Sequence, residues 1–218
     1  IRAAGGFVSA PSANTSGKPS PTRAEHVIND LSGRIDMIIQ DDTVDIGVES
    51  TIIDLSEEVP TILRPGYITQ AMFEEAIGKT IIDPAIMGSL KEGVIPKAPG
   101  MKYKHYAPNA DVTIVEGPHE KVVQYINSQV SEKEAEGHRC AVMATDETKD
   151  KYICNDIVSA GHKDDELSVA RNLYAILRDF DKQKVEYVYS ESFETKNVGQ
   201  AVMNRLIKAA GHKIVKLD

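Results

Sequence analysis

Four stretches of this 218-residue chain hold side chains whose types and spacing could do chemistry. From Ser9 to Thr22, the hydroxyls of Ser12, Ser16, Ser20 and Thr22 and the amide of Asn14 crowd into a segment punctuated by three prolines and Gly17. Such a segment feeding a helix start could cradle a phosphate, because unpaired backbone N–H groups and the helix dipole favour an anion. A plain Ser/Pro loop has the same composition. Gly47-Val-Glu-Ser-Thr-Ile-Ile-Asp54 opens a β-branched run with Ser50 and Thr51, hydroxyls that face either a ligand or solvent. Arg64, between a strand-like run and Pro65-Gly66, could hold a phosphate or carboxylate with its planar fork, or pair with a nearby Asp. Finally, Lys97–Pro108 packs three lysines, Tyr103, His105 and Tyr106 into a segment with no helix or strand period. It either lies over an anionic ligand and closes it from water, or packs by its aromatics between two domains.

The elements that must position these groups follow from periodicity and punctuation. Thr22 with Glu25 reads as a capping box opening a helix that Gly33 ends. Asp36–Ile39, Ser50–Leu55 and Thr61–Arg64 read as short strands, and Thr69 caps a helix to Ile77 followed by Gly78. Beyond Pro108 strands and helices alternate. Strands are expected at Val112–Val115, Cys140–Ala144, Ile157–Ser159, Val185–Tyr189 and Lys213–Leu217, with helices at His119–Val130, Leu167–Phe180 and Gly199–Ala210. Tyr174 and Phe180 fall on a core-facing stripe. That alternation predicts a parallel sheet covered on both faces. No Gly-x-Gly-x-x-Gly or Walker-type loop accompanies it, so it does not license a dinucleotide.

Composition narrows the function classes. The net charge is −8 and divides evenly, with 10 basic against 14 acidic residues in 1–110 and 15 against 19 in 111–218. Neither half offers the basic footprint of a general nucleic-acid binder. No run of about eighteen apolar residues occurs, which excludes a hydropathic membrane span. Cys140 and Cys154 belong to no Cys-x-x-Cys or Cys/His cluster, so neither structural zinc nor a disulfide framework is expected, and two reduced thiols fit a cytoplasmic protein. The opening Ile1-Arg-Ala-Ala-Gly-Gly6 reads as the end of a helix.

Taken in order, Ser9–Thr22, Gly47–Asp54 with Ile62–Gly66, and Lys97–Pro108 resemble the long, two-domain form of threonylcarbamoyl-AMP synthase. That family joins a YrdC-like catalytic domain to a smaller Rossmann-like domain through a linker of the Lys-x-Pro-Gly…His-Tyr-x-Pro type. The resemblance implies an α/β protein: the C-terminal part of a YrdC-like α+β twisted-sheet domain over 1–92, a site-covering linker over 93–110, and a Rossmann-like parallel-sheet domain over 111–218. It further implies synthesis of threonylcarbamoyl-AMP and pyrophosphate from L-threonine, bicarbonate or CO₂, and ATP, with Mg²⁺ on the phosphates. A downstream transfer complex would use the product to modify the tRNA adenosine beside the anticodon, without stable tRNA binding by this chain.

By the same resemblance Ser12 and Ser50 face the threonine, while Asn14, Thr22 and Arg64 contact the nucleotide. Tyr103, His105 and Tyr106 reach back over it, and no residue is assigned as a metal ligand. The family's catalytic domain also carries an earlier Lys/Arg-rich nucleotide-binding segment with no counterpart here, so these residues alone are expected to be inactive. The family's glycines near Asp41-Asp42-Thr43 are absent, so a differently shaped turn is expected there. A non-catalytic tRNA- or nucleotide-binding module of the same ancestry is the alternative.

Overall fold

The structure, a computed structural model, describes residues 1–41, 44–86 and 106–218. Asp42, Thr43, Tyr103 and His105, and with them most of the expected linker, lie outside the described residues.

The first part of the chain is built on a three-stranded sheet. A single 3-10 turn at Arg2–Ala4 leads into an irregular segment, then helix α1, Ala24–Leu31. Strand β1, Ile52–Asp54, pairs antiparallel with β2, Thr61–Arg64. Helix α2, Gln70–Ile77, then carries the chain to β3, Ile81–Ile82, parallel to β2. Local chemistry fixes α2 at both ends, since Thr69 Oγ1 accepts from the Met72 N–H and Gly78 takes φ 83° at the C-cap.

Two expectations fail here. Thr22 is not the N-cap of α1: Arg23 occupies that position, while Thr22 is buried and its N–H donates to His26 Nδ1 at 3.1 Å. Asp36–Ile39 forms no strand. A strand needs a ladder, and this run pairs with nothing among the described residues. Met37 and Ile39 therefore stand 76% and 88% exposed.

The rest is the α/β unit the alternation predicts. Strands β4 (Asp111–Glu116), β5 (Cys140–Ala144), β6 (Asp156–Ser159), β7 (Tyr187–Glu191) and β8 (Ile214–Lys216) form one parallel sheet in the order β6-β5-β7-β4-β8. Its faces obey the period of two. Val115, Cys140, Val142 and Ala144 pack under helix α3 (His119–Ala135) through Val122, Ile126 and Val130. Val112, Ile114, Ala141 and Met143 pack under helices α4 (Glu166–Lys182) and α5 (Gly199–Ala209). This arrangement leaves polar side chains of α4 and α5 facing the first part of the chain. Gly47, at φ +74°, lies against the α4 backbone so closely that a Cβ would stand 2.3 Å from the Ala170 carbonyl oxygen.

Candidate functional site

Ser50 and Arg64 meet because β1 and β2 are antiparallel and Ile52 lies opposite Arg64. The guanidinium donates from Nε and Nη2 to the Ser50 carbonyl oxygen at 3.1 and 2.9 Å, with Nη2 3.4 Å from Ser50 Oγ. Among the described residues the Arg64 fork engages the Ser50 backbone carbonyl. Gly66 makes this approach possible: a Cβ there would lie 2.4 Å from the Thr51 nitrogen and 2.7 Å from the Glu49 carbonyl oxygen. Ser50 remains exposed, its hydroxyl at the surface of this junction.

Tyr106 completes the group from the far side of the undescribed segment. It is buried at φ 63°, lies close to the Arg64 guanidinium, and packs at a tilt on Tyr174 of α4 with ring centroids 5.3 Å apart. Burial pushes its hydroxyl pKa up, and the nearby Glu49 charge adds to this. Ser50, Arg64 and Tyr106, 56 positions apart along the chain at the extremes, are therefore one cluster.

The Ser9–Thr22 loop is stitched to the same region. Ser20 Oγ donates to Glu49 Oε1 at 2.5 Å, and the Thr15 N–H and Lys18 Nζ reach Asp30. Asn14 donates from Nδ2 to the Thr15 and Lys18 carbonyls, yet among the described residues its buried Oδ1 has no hydrogen-bond partner. Among the described residues Thr22 Oγ1 and His26 Nε2 likewise make no hydrogen bond, although Glu25 Oε1 lies 3.9 Å from the latter. Buried polar atoms without partners are uncommon and need a cause, and a ligand is one such cause. Two of the three belong to residues expected to contact the nucleotide. Ser12 is exposed and joins no described contact.

Sequence reasoning missed the residues that hold this cluster in place. Glu49 accepts from Ser20, from the Tyr174 hydroxyl at 2.8 Å and from Arg205 Nε at 3.0 Å. Burial alone would raise its carboxyl pKa, but the Arg205 charge and the Ser20 and Tyr174 bonds outweigh burial and hold it below its ordinary value. Tyr174 is a core residue, as its stripe predicted, but with its hydroxyl on a carboxylate. Burial first, then that charge, raises the Tyr174 pKa. Lys208, one turn beyond Arg205 on α5, is buried and its pKa is lowered to about 8, by burial first and then by Arg205 and Arg64. An Arg or Lys inside a helix's apolar run was the available signal.

A cleft of about 560 Å³ also opens at the carboxyl ends of β4, β5 and β7, the crevice at which open parallel sheets take ligands. Its buried carboxylate, Glu191, accepts from Tyr152, Thr148 and the Thr145 N–H, and it shares no residue with the cluster above. Among the described residues no group of three His, Cys, Asp or Glu side chains could hold a metal ion, and no helix is long and apolar enough to cross a membrane.

Residues 68–211 match the family model described as threonylcarbamoyl-AMP synthase, C-terminal domain, and residues 1–66 match the one described as telomere recombination. The threonylcarbamoyl-AMP synthase of Bacillus subtilis is 42% identical over 99% of this chain and 60% of its own length. That of Pyrococcus abyssi is 44% identical over 96% of this chain and 59% of its own length. The chain thus spans about 60% of the curated relatives it matches. The crystal structure of P. abyssi Sua5 complexed with L-threonine superposes with a TM-score of 0.85 at 43% identity, over 96% of this chain and 59% of that one. A family model that covers well over half of the residues, with relatives and a solved structure agreeing along nearly the whole chain, places this protein in the threonylcarbamoyl-AMP synthase family.

Proposed function

We propose that this chain carries the threonine-binding and part of the nucleotide-binding half of an L-threonylcarbamoyladenylate synthase. The reaction joins L-threonine, bicarbonate and ATP into threonylcarbamoyl-AMP, releasing pyrophosphate and water. The observation that carries the reading is the Ser50–Arg64–Tyr106 cluster, in which an exposed hydroxyl and a guanidinium are fixed side by side. The L-threonine complex of a 43% identical relative supports it.

In this reading Ser50 and Ser12 hydrogen-bond the threonine, and Asn14, Thr22 and Arg64 contact ATP. The unpartnered Asn14 Oδ1 and Thr22 Oγ1 are acceptors for nucleotide hydroxyl or amino groups. Tyr106, with Tyr103 and His105, closes the site from water. A carbamate and an α-phosphate must be held within reacting distance while charge builds on phosphate oxygens, so positioning and electrostatic stabilisation supply the rate without a covalent enzyme intermediate. A Mg²⁺ ion would bridge and neutralise the ATP phosphates. The product would pass to a tRNA-modifying transfer complex in the cytoplasm.

Calorimetric titration of L-threonine, with pyrophosphate release from ATP, threonine and bicarbonate measured in parallel, tests the proposal. Threonine binding that Ser50→Ala weakens directly, and that Arg64→Lys weakens by loosening its hold on the Ser50 carbonyl, is the expected result. Binding indifferent to both substitutions would refute it.

A further inference from the structure

Every residue of the Ser50–Arg64–Tyr106 cluster is gripped through its neighbours by two helices of the α/β unit. Glu49, directly before Ser50, is bound by Tyr174 of α4 and Arg205 of α5. Pro65, directly after Arg64, gives its carbonyl to Arg205 Nη1 at 2.5 Å, and Arg205 Nη2 also reaches the Glu49 carbonyl at 3.3 Å. Asn204 Oδ1 accepts a further Arg205 N–H at 3.3 Å. Tyr106 lies against the Tyr174 ring. Thus one guanidinium, 0% exposed, spans the residue before Ser50 and the residue after Arg64.

A buried charge making four hydrogen bonds is an expensive way to glue two surfaces, because apolar side chains of similar volume often do as well or better. It does supply direction, since a planar fork with carboxylate and carbonyl acceptors tolerates little displacement. The single Tyr174 O–H lies 3.0 and 2.8 Å from the two oxygens of the same carboxylate and adds a second helix as an anchor for it. We propose that Arg205 and Tyr174 are positioning residues which, acting through Glu49 and the Pro65 carbonyl, set the placement of the Ser50 hydroxyl relative to the Arg64 fork. The proposal rests on the reading of Ser50 and Arg64 as substrate contacts.

The test uses Tyr174→Phe, which deletes one hydroxyl and keeps the ring, against Tyr152→Phe as control. Tyr152 makes an equivalent buried bond, 2.5 Å to Glu191, in the same unit but away from the cluster. L-Threonine is titrated into the full 218-residue chain and both variants. Amide hydrogen exchange of segments 48–54 and 62–66 is followed by mass spectrometry in the same samples, beside thermal melts. Tyr174→Phe is expected to raise the threonine Kd about tenfold, equivalent to ~1.4 kcal/mol, and to speed exchange in both segments. Tyr152→Phe is expected to lower the melting temperature but change neither readout. Equal threonine effects from the two variants, or unchanged exchange in Tyr174→Phe, would overturn the proposal. If the unaltered chain binds no threonine, the functional reading fails instead, and exchange alone decides the clamp: opening confined to Tyr174→Phe supports it, and no opening overturns it.

Discussion

Arg178 of α4 lies over Asp30 of α1, Nη2 to Oδ2 2.9 Å and Nη1 to Oδ1 3.3 Å, across 148 positions of sequence. The Asp30 side chain is 0% exposed and also receives Lys18 and the Thr15 N–H, while Arg178 holds the Pro19 carbonyl with two N–H groups. This pair fastens the Ser9–Thr22 loop to the α/β unit. Truncating one partner of a buried ion pair strands the other, which costs ~3–5 kcal/mol. Arg178→Ala is therefore expected to destabilise by about that much in urea unfolding. Asp30→Asn added to it should recover part of the loss, because the stranded charge is gone. A double variant no more stable than Arg178→Ala alone would count against this account.

The same pair sets a pH dependence. Burial would raise the Asp30 pKa, but bonds from Arg178 and Lys18 overcome it and hold the carboxyl at about 2 against an ordinary 3.8. A carboxyl with a depressed folded pKa adds stability above its unfolded value and loses it as pH falls. Asp30 is thus expected to contribute ~2 kcal/mol at neutral pH, lost as pH falls from about 4 towards 2. Urea midpoints of the chain and of Asp30→Asn, taken from pH 7 to 2.5, should converge at the acid end.

Lys208 behaves oppositely. Its amine is pushed down to about 8 from 10.5, so the unfolded chain holds this proton more tightly than the folded one between those values. Stability should rise with pH across that window. Lys208→Met is expected to stabilise the chain at pH 7 by up to ~3 kcal/mol, with the advantage gone above pH 10.5. A variant less stable than the parent at pH 7 would show that the ammonium is needed in its charged form.

Gly66→Ala brings a Cβ onto the Thr51 nitrogen and the Glu49 carbonyl, both rigid backbone atoms. Strand β2 must then draw away from the Ser50 segment, and the Arg64-to-Ser50 bonds lengthen with it. A stability loss of ~1–3 kcal/mol, as for overpacking, and a collapse of threonine binding are expected from denaturation and calorimetry. Gly78→Ala, where a Cβ meets open space, should cost only the strain of its positive φ and leave binding intact.

How far the sequence could be read depends on how local each cause is. Helix α2 was legible at both ends because Thr69 and Gly78 act within one turn. Strands such as β5 were legible because their apolar runs are bounded by polar turns. Strand β3 went unread: two isoleucines become a strand only when β2 is alongside to accept and donate. The Asp36–Ile39 run failed for the reverse reason, a strand-like pattern with no described neighbour. At the site, Ser50 and Arg64 were named from a motif, and the register of β1 on β2 shows why they meet. Glu49, Tyr174 and Arg205 could not be paired from spacing, because their bonds span 125 and 156 residues.

The strand order carries a consequence for how this protein is made. β4 and β5 follow one another in the chain, yet β7 lies between them, and the other neighbour of β4 is β8. During synthesis β5 and β6 can pair at once. β4 must wait until residues 187–191 have emerged, and its second edge is covered only by β8, 23 residues further on. Closing such distant pairs is slow, because loop entropy is lost before contacts repay it. The helices that clamp Glu49 flank β7, so the order imposed on strand pairing also orders the site: Glu49 leaves the ribosome 156 residues ahead of the Arg205 that fixes it.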